Sequence, residues 1–223
     1  MKTTLVVAVA LSATLGLTLL AQPRYTPARF EGGATPGLAP MAVGGGQVIV
    51  ELGLEANGTV KTAKALRSTP PFTQLLLDSV RFWRFTPATE ESISTDGKAT
   101  TARRIPSKVI VAAVYRAPAL QGATQGERPK DTGPVSADVA YPTTIREPVF
   151  PPTAPFGGVV MIEVRVTGSG AVADARVIHS AAGFDAPALD AARQWRFRPA
   201  RLKGGGDTYA YLVFGFPQPV TTR

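Results

Sequence analysis

The sequence predicts an α+β fold of two small domains in tandem, each a three-stranded antiparallel sheet with a helix packed on one face, in the order strand, strand, helix, strand. Three observations predict it. The pattern of residues 47–88 recurs at 159–200, at a constant spacing of 112 residues and without a gap. Each occurrence opens on strictly alternating apolar residues followed by a glycine turn, as a hairpin with one buried face requires. Each then runs through an apolar helical pattern into Trp-Arg-Phe and a proline stop.

The first strand carries Val48, Val50, Leu52 and Leu54 in one occurrence and Val160, Ile162, Val164 and Val166 in the other. Asn57-Gly58 and Ser169-Gly170 follow, glycine supplying the positive φ of a tight turn. A second strand runs from Val60 to Leu66 and from Val172 to Ile178. Thr73 and Asp185, each after a phenylalanine, are good N-caps, so a helix is expected to begin at each. Leu76, Val80 and Trp83, and Ala188, Ala192 and Trp195, then share a helical face. Pro87 and Pro199 end the pattern, because proline lacks the amide a helix needs. A last apolar strand closes each unit, Lys108 to Tyr115 and Tyr209 to Phe216. Trp83, Phe85, Trp195 and Phe197 are the expected core aromatics.

The expected boundaries are a first unit over 44–115 and a second over 140–218. A flexible segment, 22–43, precedes the first, and a flexible Gly- and Pro-containing linker, 116–139, joins the two. Thr89 to Ser107 reads as an exposed loop inserted before the last strand of the first unit. At the start of the chain, Lys2 and the apolar run from Leu5 to Leu20 ending at Ala21 read as an export signal over 1–21, either a cleaved signal peptide or an uncleaved signal anchor.

The absence of cysteine excludes disulfides, thiolate metal sites and a cysteine nucleophile, and the single histidine, His179, excludes multi-histidine metal sites. No catalytic residue, metal ligand or cofactor is expected, and the chain reads as a binding protein and not an enzyme. His179 has no Ser/Asp grouping around it and reads as structural. Asp78 and Asp190, at matched places on the two helices, read as helix-dipole partners and not as an acid/base pair. Gly44 to Gly46 and Gly204 to Gly206 lack the Lys-Ser/Thr sequel of a phosphate loop. The formal charge of +8 is scattered, with no aromatic-interleaved basic motif, so nucleic acid is not an expected partner; anionic lipid or acidic wall polymer suits an exported chain better.

One stretch carries a family resemblance. Gly158-Val159-Val160-Met161-Ile162-Glu163-Val164-Arg165-Val166, then Gly170, then Leu189-Asp190-Ala191-Ala192-Arg193-Gln194-Trp195-Arg196-Phe197-Arg198-Pro199-Ala200 resembles the TonB C-terminal domain. The first occurrence, Leu77-Asp78-Ser79-Val80-Arg81-Phe82-Trp83-Arg84-Phe85-Thr86-Pro87-Ala88, resembles it more weakly, so the chain reads as two tandem TonB-like units. The resemblance implies a periplasmic envelope protein, in TonB-dependent transport, that captures an extended peptide of an outer-membrane receptor or other envelope partner as an added strand. The implied binding edge is the last strand of the second unit, Tyr209, Ala210, Tyr211, Leu212, Val213 and Phe214. The alternative is a scaffolding envelope protein whose two units pair with each other, leave no free edge and transduce no energy. Self-association belongs to that alternative, and membrane contact is expected only through an uncleaved N-terminal segment. Against family energy transducers, the two spacers here are short, each reaching about 25–30 Å as random coil.

Overall fold

The computed structural model describes residues 24–39, 44–93, 99–116, 130–151, 156–202 and 206–217. The expected signal, 1–21, lies outside the described residues, as does 117–129 of the expected linker. Among the described residues the fold is mixed α+β, mostly strands with two helices.

The two hairpins form where alternation places them. β3 (Gly46–Leu54) pairs antiparallel with β4 (Val60–Ser68), and β11 (Gly158–Val166) with β12 (Val172–His179). The turn glycines are obligatory. Gly58 and Gly170 have φ of 84° and 82°. A Cβ at either would stand 1.7 Å or 1.9 Å from the carbonyl oxygen of Phe85 or Phe197. That close approach lets Phe85 N–H donate to Gly58 O at 3.0 Å and Phe197 N–H to Gly170 O at 2.8 Å, which ties each hairpin tip to the chain after its helix.

The helices are α1 (Phe72–Val80) and α2 (Asp185–Arg193). Thr73 and Asp185 do not cap them. Both lie inside the first turn and bond backwards, Thr69 N–H donating to Thr73 Oγ1 at 2.9 Å and Ala181 N–H to Asp185 Oδ1 at 3.0 Å. The side chains thus fasten the incoming loop. Asp78 and Asp190 fall in the last turns, where the helix dipole disfavours an acid. Each instead pairs with an arginine three residues on, Arg81 at 2.7 Å and Arg193 at 3.3 Å.

Four stretches depart from the sequence reading. Segment 22–43 is not flexible where described: it forms β1 (Arg24–Thr26) and β2 (Arg29–Gly32), and Ala28 and Ala39 are buried. The insertion 89–107 is not a loop but a hairpin of β6 (Ala88–Ile93) and β7 (Ala99–Ile105), sheeted with β1. Linker residues 130 and 131 form a short strand, β9 (Lys130–Asp131), on the outer edge of β4. Both halves also gain a small second sheet: β2 pairs with β5 (Arg84–Thr86), and β10 (Tyr141–Thr144) with β13 (Arg196–Arg198). Short polar stretches carry no apolar period of their own, so only their hydrogen-bonding partners in the fold define them.

The largest departure is the sheet itself. The last strands, β8 (Ser107–Tyr115) and β14 (Thr208–Phe216), pair in parallel and merge the expected three-stranded units into one seven-stranded sheet of order β12-β11-β14-β8-β3-β4-β9. Paired residues of adjacent strands point to the same side. Val111, Ala113, Tyr211 and Val213 join the core around α1, while Ile110, Ala112, Ala210 and Leu212 join the core around α2. The two helices therefore cover opposite faces, and each core draws residues from both halves. The reason is in β8: residues 109–115 are apolar at every position and all buried, so neither face of that strand can be left to solvent.

Tyr115 and Phe216 occupy matching strand ends, paired with Gly46 and Gly158. The Tyr115 ring stacks on Phe72, with centroids 4.3 Å apart, and its hydroxyl is buried without a partner among the described residues. Burial alone pushes that phenol's ionisation well above the usual tyrosine range. Tyr115→Phe is therefore expected to raise stability by about 1 kcal/mol, since it removes an unsatisfied buried hydroxyl. The gain should widen above about pH 10, where the unfolded chain releases the tyrosine proton that the folded chain retains and stability falls with rising pH. Urea denaturation of both proteins at neutral and alkaline pH checks both signs.

Candidate interaction surfaces

The expected binding strand is interior. Residues 209–214 of β14 are hydrogen-bonded on one side to β11 and, from 210, on the other to β8. Ala210, Tyr211, Leu212, Val213 and Phe214 are all fully buried. The reading of this strand as an open edge is thereby corrected. Its ladder groups are already used by β8, and Tyr211 lies in the α1 core. There the Tyr211 hydroxyl accepts from Phe30 N–H at 3.0 Å and its ring lies edge-on to Phe85, 5.4 Å between centroids. Burial first, and then the Glu163 carboxylate, raise its pKa. Tyr209 is half-buried beneath the Arg29 guanidinium, 4.3 Å from the ring centre.

Trp83, Phe85, Trp195 and Phe197 are buried, one pair in each core. Each indole donates to a carbonyl 49 residues upstream, Trp83 to Ala34 O and Trp195 to Arg146 O, both at 2.9 Å. His179 stands exposed at the end of β12, its ring nitrogens 3.4 Å and 3.5 Å from Thr35 Oγ1.

A charged cluster that sequence reasoning did not single out joins the halves. Glu163 on β11 is 3 % exposed. It accepts from Arg29 Nε at 3.1 Å, from Arg29 Nη2, and from Arg176 Nη2 on β12 at 3.1 Å. A buried carboxylate needs such compensation. The hydrogen bond to Glu163 holds the Arg29 guanidinium above its ordinary range. The counterpart Glu51 meets Lys108 Nζ at 3.8 Å and accepts from Ser136 N–H at 3.3 Å. The signal was present: Glu51 and Glu163 are an identical pair inside the apolar strands of the repeat, and a charge kept there implies an opposite charge across the sheet.

The sheet ends differ. Along β4 the chain itself supplies a further strand. Arg67 pairs with Asp131 and Ser68 with Lys130, Thr132 N–H donates to Leu66 O at 2.9 Å, Lys64 Nζ to Pro134 O at 3.3 Å, and Arg67 Nε to Asp131 Oδ1 at 2.9 Å. At the other end β12 pairs with β11 alone among the described residues. Among the described residues no three His, Cys, Asp or Glu side chains gather as a metal cage, and no helix is long and apolar enough to cross a membrane.

A hairpin, helix and closing strand, with a tryptophan fixed by a carbonyl upstream, define a small sheet-and-helix module. Residues 148–215 match the model of a family described as the Gram-negative bacterial TonB protein C-terminal. The match lies within the second half of the chain. Neither curated proteins nor solved structures give a match to the chain.

Proposed function

We propose that this chain is a non-enzymatic scaffolding protein of the bacterial cell envelope, held in the periplasm, built from two tandem copies of the TonB C-terminal fold that are locked to each other. The observation that carries the reading is the parallel pair β8–β14. The strand that the family resemblance implies for peptide capture is here occupied by its counterpart in the first half. Receptor capture at β14 and a part in energy transduction are therefore set aside in favour of the self-paired alternative. Support for the second copy comes from geometry repeated at the same spacing: the turn glycines, the backward bonds of Thr73 and Asp185, and the two indole anchors.

A disulfide tests the pairing. Ala112 and Leu212 are Cα partners, and neighbouring strands bring Cα atoms to about the 4.4–6.8 Å a disulfide spans. The chain has no cysteine to compete. Ala112→Cys with Leu212→Cys is expected to form an intrachain bridge under mild oxidation and to leave the melting temperature no lower than in the reduced form. Absence of the bridge, together with recovery of an outer-membrane receptor in a pull-down of envelope proteins, would overturn the scaffold reading.

A further inference from the structure

We infer that the open edge of β12, at Arg176 to Ser180, takes an extended segment of a partner protein carrying a carboxylate side chain opposite His179. The inference rests on the scaffold reading above, in which β14 is closed. The protein shows the arrangement in its other half. The β4 edge, which repeats as β12 112 residues on, is occupied by Lys130-Asp131-Thr132-Gly133-Pro134 running antiparallel. In that occupied edge Arg67 holds the Asp131 carboxylate, Leu66 O receives the next backbone N–H, and Lys64 Nζ reaches the carbonyl of Pro134. At the same spacing β12 offers His179 for Arg67, Ile178 for Leu66 and Arg176 for Lys64.

These groups are placed to receive it. His179 and Arg176 are exposed, and β12 has no neighbour beyond β11 among the described residues. The two hairpins have register shifts at corresponding places, Ile49/Val50 and Gly53/Leu54 in the first, Met161/Ile162 and Arg165/Val166 in the second. The shift beside Leu66 does not stop β9 from adding, so the one beside Ile178 is no bar. At this end Glu163 is one carboxylate between two guanidiniums, Arg29 and Arg176, and the Asp185 carboxylate is already held by the Ser180 hydroxyl and the Ala181 N–H. Asp174, farther along the strand, stands opposite Arg165, itself paired with Asp207. The incoming carboxylate thus meets the Arg176–His179 end, while backbone bonds to the edge supply the rest of the contact.

The test uses the full chain carrying the Ala112–Leu212 disulfide, so that β14 cannot open, and a nine-residue synthetic peptide with the sequence of residues 128–136. Binding is read by fluorescence anisotropy, and the site by slowed amide exchange over residues 176–180. His179→Arg, which copies the occupied edge, is expected to tighten binding roughly two- to fivefold, and His179→Asp to weaken it by at least as much. N-methylation of the peptide's threonine removes the donor for Ile178 O and should weaken binding about tenfold. No binding at millimolar peptide, binding indifferent to His179→Asp, or a dimer in sedimentation whose β12 amides are already protected would each overturn the inference and leave the scaffold reading standing. Binding by the reduced protein but not the bridged one would move the site to β14 and overturn both.

Discussion

Leu212→Pro is expected to unfold the chain. Leu212 is fully buried at the middle of β14, opposite Ile162 on one side and Ala112 on the other. Proline has no N–H for the ladder and is confined to edges and bulges of sheets. The partner carbonyl left unsatisfied in the sheet costs about 1–3 kcal/mol. Losing the leucine side chain from the α2 core costs about 2–5 kcal/mol more. The sum is comparable with the whole stability of a small protein, about 5–15 kcal/mol. Circular dichroism at 25 °C should show loss of sheet signal, and a folded variant with a melting temperature near the parent's would refute the interior placement of β14. The same change at Ala173, an exposed residue of the edge strand β12 beside a register shift, is expected to be far milder.

Trp195→Ala is expected to cost about 3–5 kcal/mol, as truncation of a large core aromatic does. The indole is fully buried, lies edge-on to Phe214 with centroids 6.0 Å apart, and donates to Arg146 O. Its removal opens a cavity and orphans that carbonyl. The change is also expected to act on both halves. Ile49, Ile110, Ala112 and Val114 of the first half belong to the same core, and Val159, Met161, Tyr211 and Val213 of the second half complete the core around α1. Denaturation of Trp195→Ala followed by Trp83 fluorescence and by circular dichroism should give coincident transitions, both shifted down. A Trp83 transition unmoved from the parent's would show that the halves fold independently.

Much of each half was legible in the sequence because the forces concerned are local. Alternation gave the faces of β3 and β11, and the steric need for glycine located Gly58 and Gly170. Apolar spacing placed both helices, but they end at Val80 and Arg193, short of Trp83 and Trp195, and the strands β5 and β13 stand between them and the prolines. Even the clue to the merged sheet was present, since residues 109–115 are apolar on both faces and a strand of that kind cannot sit at an edge. The sequence did not say what covers it. Tyr209 and Tyr211 read as part of a binding edge, and only the fold supplies the Arg29 guanidinium over the one and the Phe30 N–H to the other.

What the sequence by itself determined, then, is the repeating unit: two hairpins, two helices, two tryptophan anchors and a second half resembling the TonB C-terminal domain. What the tertiary structure decided is which edges remain. The order β12-β11-β14-β8-β3-β4-β9 closes the strand that resemblance marked for binding, covers β4 with Lys130 and Asp131, and leaves β12 paired with β11 alone among the described residues. Strand pairing is made by backbone groups that every residue carries, so the choice of neighbour is set by the fit of whole faces and not by any local motif.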